Sequence, residues 1–190
     1  HYDFNMSDIF LEELNIADIK YNLDIGSSSG INQIASILIN FEKVLIDESP
    51  DGVIVYGDTN STIGGALTAA KLNIPIFHIE SGLRSFNKKM PEEINRITTD
   101  RLSSILFCPS NLSQKNLKNE GIDKNIYVVG DVMYDIFYKL NNKIKSYNND
   151  EDFFLLTLHR EENTSKYCLQ ERFNQLSSIN KKIIYPMHPR

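Results

Sequence analysis

Carboxylates and basic residues gather in this chain where short apolar runs give way to turn and helix signals. "VIVYGDTNST", residues 53 to 62, puts Asp58 just past an apolar run. "FHIESGLRSFNKKMPEEINR", residues 77 to 96, puts Glu80 directly after another and follows it with Arg84, Lys88, Lys89, Glu92, Glu93 and Arg96. "TLHREENTS", residues 157 to 165, ends a third run on His159 and Arg160, with Glu161 behind them, and His188 closes a fourth in "IIYPMHPR". Converging carboxylates held ionised by arginines suit proton transfer. Histidine and arginine beside a helix start suit an anion. Phosphate is disfavoured beside Asp58, whose charge would repel it. Plain structural readings stand beside these. Asp58 or Ser61 fits a helix cap, Glu92 and Glu93 complement a helix dipole behind Pro91, His78 fits a satisfied core histidine within its strand, and the two lysines fit solvent.

The elements that must position these residues are legible in the hydrophobic rhythm. "MSDIFLEELNI" and "INQIASILINFEKVLIDES" carry apolar positions at helical spacing, and the turn-forming "YNLDIGSSSG" separates them. After Pro50, short apolar runs alternate with helical stretches: "GVIVYG", 61–72, "PIFHIE", 91–103, "ILFCPS", 110–120, "IYVVG" and 132–145. Strands apolar on both faces and separated by helices predict a parallel, doubly wound α/β domain. Its carboxyl edge is where a ligand binds, so Asp58 and Glu80 should share one cleft, with Glu92, Arg96 and Thr99 on one face of the next helix. Ser110 fits the cap of the helix after "ILFCPS". The polar "KSYNNDED" reads as a linker. Beyond it, strand 153–158, a helix over 164–179 and strand 182–188 predict one β-α-β unit of a second domain.

Composition narrows the partners. The formal charge is −5 and no long Lys/Arg block is present, which argues against nucleic acid. Cys108 and Cys168 match no zinc or C-x-x-C spacing and read as reduced thiols. With no charged-then-apolar leader and no apolar run near about eighteen residues, a cytoplasmic protein away from membranes is expected. The chain begins at His1 and ends just past a strand, so a fragment of a longer protein is expected.

"YGDTNSTIGGALTAAKLNIPIFHIESGLRSFNKKMPEEINRITTD", "VVGDVMYD", "TLHREEN" and the opening "HYDFNM" together resemble the non-hydrolysing UDP-N-acetylglucosamine 2-epimerases of bacteria and archaea. The resemblance implies two Rossmann-like α/β domains in a GT-B-like arrangement, here residues 1–148 and the beginning of a UDP-binding domain over 149–190. It also implies a homodimer, a UDP-sugar in the interdomain cleft, and inversion at carbon 2 without nicotinamide or metal. Matched by motif, Asp58, Glu80 and Glu92 are the acid-base carboxylates and His159 the histidine near the diphosphate. Arg84, Glu93 and Arg96 orient that set, and Arg160, Glu161 and His188 line the second wall.

Three departures qualify what is carried over. The family's "GTRPE" and "DSGG..EE" loops are not in this chain, so these residues alone are expected to be inactive. "NLDIGSSSGINQ" does not match the "QPGQ" stretch of the UDP-GlcNAc effector site. The short "SFNKKMPEE" connection and "HREENT" look closer to the branch acting on UDP-2,3-diacetamido-2,3-dideoxyglucuronate, whose carboxylate Lys88 and Lys89 could meet. A hydrolysing 2-epimerase, a GT-B glycosyltransferase and a nucleotide-sugar-binding module without turnover are the rival readings.

Overall fold

Helix α1 (Gly30–Glu48) begins where Ser29 accepts a hydrogen bond from the Asn32 amide, and it ends at Ser49 in a left-handed turn. The computed structural model describes Leu11 and residues 19–141, 152–158 and 166–186. The chain divides into two compact units, His1–Asn142 and Lys143–Arg190. Of the helix expected in "MSDIFLEELNI", Leu11 alone is among the described residues, and it is helical.

In the first unit, β1 (Val53–Tyr56), α2 (Asn60–Lys71), β2 (Ile76–Ile79), α3 (Pro91–Leu102), β3 (Ile105–Cys108), α4 (Asn111–Asn119), β4 (Ile126–Val128) and α5 (Val132–Leu140) follow in turn. The four strands pair in parallel in chain order, β1-β2-β3-β4. Strand-helix alternation of this kind is what the apolar runs predict. Because each strand is added on the same side of the last, right-handed crossovers bring the connecting helices to one face. Burial follows suit. Val53, Val55, Ile76, His78, Leu106 and Cys108 are buried, whereas Ile54 and Tyr56 are exposed. The expectation of strands covered on both faces therefore holds, among the described residues, for one face only.

The core joins Leu45 of α1, Val53 and Val55 of β1, Ala66 and Ala69 of α2, and Ile76 of β2. A second cluster gathers Leu106, Cys108 and Leu117. Each fully buried aliphatic side chain contributes about 1.5–3 kcal/mol. Helices α1 and α2 approach closely because Gly64 has no side chain: a Cβ there would lie 2.5 Å from Cγ2 of Ile37.

In the second unit, β5 (Phe153–Leu155), α6 (Lys166–Leu176) and β6 (Lys182–Ile184) form the expected β-α-β arrangement. The two strands are parallel, with Phe154 opposite Ile183. Tyr185 donates to the Leu158 carbonyl at 3.2 Å and meets Phe173 edge-on, with ring centroids 5.7 Å apart.

Candidate active site

Register brings the first two carboxylates together. Tyr56 pairs with Ile79, and the Gly57 amide donates to the Ile79 carbonyl at 3.0 Å. The next residues, Gly57–Asp58 on β1 and Glu80 on β2, therefore emerge side by side at the carboxyl edge of the sheet. Gly57 and Glu80 both adopt positive φ, 61° and 72°. For Glu80, with a Cβ, that conformation is strained, the kind of local cost that clusters at functional sites. A Cβ on Gly57 would come within 3.1 Å of Glu80 Oε2, so glycine leaves room for that carboxylate.

The two acids have different partners. Asp58 pairs with Arg96 at 2.5 Å, and Arg96 also lies 3.6 Å from Glu93. Burial nevertheless pushes the Asp58 carboxyl above its ordinary range, helped by the charge of Glu92 and opposed by Arg96. Glu80 is pushed up as well, first by desolvation and then by the charges of Asp58 and Asp131. Among the described residues, no hydrogen bond reaches the Glu80 carboxylate. Two neighbouring carboxyls that both resist ionisation are suited to taking and returning a proton.

Helix α3 sets the far side of this site. Its inward stripe is Glu93, Asn95, Thr99 and Asp100, all buried, with Arg96 partly buried beside them. Glu92 sits on the exposed side of the first turn, close enough to Asp58 for its charge to act there. The expected face of Glu92, Arg96 and Thr99 thus turns from solvent into the fold along the helix. Asn95 donates to the Asp58 carbonyl at 2.9 Å and to Asn60 Oδ1 at 3.2 Å, tying the acid turn to the start of α2.

Arg84 and Glu93 take structural positions. The Arg84 side chain is 1% exposed; it bridges Asp100 at 2.7 Å and Glu120 at 2.7 Å and donates to the Leu83 carbonyl. Burial pulls its guanidinium down, but the hydrogen bonds and charges of Glu120 and Asp100 raise it overall. Glu93 accepts from the amides of Ser85 and Phe86 at 2.9 and 2.8 Å. Burial pushes it up, yet those donors and Arg96 hold it below its ordinary range. With their polar atoms engaged inside the fold, both shape the loop between β2 and α3 and present no free surface to a substrate. Lys88 and Lys89 are exposed.

Several smaller expectations meet the coordinates here. His78 is the satisfied core histidine: it is fully buried, 2.7 Å from Asp100 and 2.8 Å from the Gly57 carbonyl. Ser110 caps α4 through the Ser113 amide. The cap of α2 is neither Asp58 nor Ser61 but Thr59, in a reciprocal box with Thr62, because the chain turns one residue beyond Asp58. Cys108 is buried, and that burial pushes its thiol up. His159, Arg160, Glu161 and His188 lie outside the described residues.

Sequence reasoning missed Asn95, Asp100, Glu120 and Asp131. Asp131 could have been found by the rule that found Asp58, since it follows "IYVVG" and caps α5 through the Met133 amide. The others carry no local signal. A cavity of about 290 Å³ opens between Ile79, Phe107, Val129, Gly130, Val132 and Asp135 toward the carboxyl ends of the strands. None of the described helices is long and apolar enough to cross a membrane.

The sequence profile of the UDP-N-acetylglucosamine 2-epimerase family matches residues 1–190. A UDP-N-acetylglucosamine 2-epimerase homolog of Methanococcus maripaludis is 51% identical over 200 residues, covering all of this chain and 56% of that protein. The UDP-2,3-diacetamido-2,3-dideoxy-D-glucuronate 2-epimerase of Pseudomonas aeruginosa is 45% identical with the same coverage. The crystal structure of Methanocaldococcus jannaschii UDP-GlcNAc 2-epimerase, in complex with UDP-GlcNAc and UDP, superposes with a TM-score of 0.90 at 43% identity over all of this chain and 56% of that one. The chain thus spans about half the length of the relatives it matches. Its α/β architecture with parallel sheets is the two-domain Rossmann-like fold of these enzymes, the second domain being present in part. With a match along every residue, the chain belongs to the UDP-N-acetylglucosamine 2-epimerase family.

Proposed function

We propose that the protein containing this chain is a non-hydrolysing UDP-N-acetylglucosamine 2-epimerase, interconverting UDP-GlcNAc and UDP-ManNAc. The observation that carries this reading is the pair Asp58 and Glu80, brought side by side at the sheet edge and both resisting ionisation. The proton at carbon 2 is not acidic enough for direct exchange. A base removes it while the C1–O bond breaks: the C–H electrons become the C1=C2 double bond, and the C–O pair leaves with UDP. Returning UDP to carbon 1 and a proton to the opposite face of carbon 2 completes the inversion.

In this reading Asp58, Glu80 and Glu92 are the catalytic carboxylates and His159 serves the departing diphosphate. Arg96 anchors Asp58, while Arg84 and Glu93 hold the loop that carries Glu80 toward α3. Arg160, Glu161 and His188 bind substrate from a UDP-binding domain that begins near residue 149, after a first domain over 1–148. A cytoplasmic homodimer feeding surface polysaccharide synthesis completes the proposal. The Pseudomonas relative favours one second reading, epimerisation of UDP-2,3-diacetamido-2,3-dideoxyglucuronate, where Lys88 and Lys89 would face the substrate carboxylate.

The test is incubation of the full-length protein with UDP-GlcNAc in heavy water. Deuterium at carbon 2 of intact UDP-sugar is expected. No exchange, release of free ManNAc, or transfer to an acceptor rejects the reading, and exchange confined to the diacetamidoglucuronate substrate selects the second one. Asp58→Asn should lower the rate at least about 100-fold. A near-normal rate with altered stability would reduce Asp58 to a structural residue.

A further inference from the structure

We infer that His78 and Asp100 form a positioning pair that sets the spacing of the Asp58 and Glu80 carboxylates, an inference that rests on the 2-epimerase reading. The side chains of both residues are fully buried. Nε2 of His78 lies 2.8 Å from the Gly57 carbonyl oxygen, and Nδ1 lies 2.7 Å from Asp100 Oδ1. A carbonyl only accepts, so Nε2 carries a proton and donates it to Gly57. That carbonyl belongs to the peptide joining Gly57 to Asp58. The donor stands two residues before Glu80 on the neighbouring strand. One imidazole therefore links the strand ends that carry both acids.

Asp100 secures the other side. Its Oδ2 accepts from the Gly82 amide at 3.2 Å and from Arg84 at 2.7 Å, which ties down the turn immediately after Glu80. Arg84 in turn grips both oxygens of Glu120 at 2.7 Å. A continuous polar chain thus runs from the end of α4 through Arg84, Asp100 and His78 to the Asp58 peptide. Filling this volume with an apolar side chain would avoid the desolvation cost of burying the imidazole. What the imidazole adds is direction: the Gly57 amide already pairs with the Ile79 carbonyl, and the imidazole orients the carbonyl on the other side of that residue, whose φ is 61°. Proton transfer is sensitive to that placement, since a misplacement of about 1 Å costs on the order of 100-fold.

The decisive comparison is His78→Gln against His78→Asn in the full-length protein. The glutamine amide nitrogen reaches the Nε2 position and keeps the bond to Gly57, whereas asparagine reaches only the Nδ1 position. His78→Asn should lower kcat for deuterium exchange at carbon 2 by about 10- to 100-fold with KM for UDP-GlcNAc nearly unchanged, and His78→Gln should recover most of that loss. Glutamine also fills more of the volume than asparagine, so His78→Leu, of similar size and without a donor, is the control: a His78→Leu rate equal to that of His78→Gln, or equal rates for the two amide variants, overturns the inference. The Asp58 amide signal in ¹H–¹⁵N spectra gives a second readout: it should move in His78→Asn and stay in His78→Gln, and an unmoved signal in a folded His78→Asn protein overturns the pair. The unmodified protein separates the two ideas. A wild type that performs no exchange rejects the epimerase reading by itself, and the amide signal then still decides the positioning pair.

Discussion

Glu80 and Glu93 stand at the two ends of one connection, between β2 and α3, and meet opposite environments. Glu93 is 1% exposed, yet two backbone amides and Arg96 surround its carboxylate and hold it ionised below its ordinary range. Glu80 lies at the open sheet edge, where no hydrogen bond reaches its carboxylate among the described residues and the charges of Asp58 and Asp131 add to desolvation to push it up. The more buried acid is the easier to ionise. Donors, not burial alone, decide which carboxylate becomes scaffold and which is left reactive.

If that contrast is right, breaking the scaffold side should cost stability and breaking the reactive side should cost only turnover. The largest effect is expected at Arg84→Met, which leaves Asp100 and Glu120 charged without their partner; chemical denaturation should register a loss of about 3–5 kcal/mol. A loss below about 1 kcal/mol would mean that the network around Arg84 is not a closed scaffold.

Glu93→Gln comes next. Replacing an ionised acceptor of two amides should cost about 2 kcal/mol at neutral pH. Glu93 has its value depressed in the folded state, so its contribution is complete above the unfolded carboxylate range and is lost as pH falls through the lower folded value. The gap between wild type and variant should therefore close on acidification below about pH 4. A gap that stays constant with pH would show that shape rather than charge matters at this position.

Glu80→Gln should give the smallest stability change, and of the opposite sign. A raised carboxyl makes ionisation unfavourable to the fold, so stability declines as pH rises through its titration. The variant should gain roughly a few tenths of a kcal/mol at neutral pH, after screening by solvent, and nothing below about pH 4. Deuterium exchange should collapse at the same time. A destabilised Glu80→Gln protein at neutral pH would place Glu80 with the scaffold.

Much of this organisation was legible beforehand. The strand-helix alternation follows from apolar runs of strand length between amphipathic stretches, and Pro91 and Ser110 marked helix starts within a residue. Asp58 and Glu80 were found because both follow a strand at the ligand-binding edge of a parallel sheet. The role of Arg84 was not legible. The resemblance gave it a part in orienting the carboxylates, but its partners Asp100 and Glu120 come from α3 and the end of α4, and nothing near Arg84 in the chain announces them.

The sequence by itself determined the order of elements, the sheet edge on which the candidate carboxylates sit and the family, because hydrophobic periodicity, turn residues and motif strings are local. Tertiary structure alone decided which ionisable groups are spent and which remain available. His78, Arg84 and Glu93 are satisfied by partners from other elements, while Asp58 and Glu80 are pushed together by the register of β1 and β2. The physical reason is that ionisation depends on the donors, charges and solvent within a few ångströms, and only the fold chooses those neighbours.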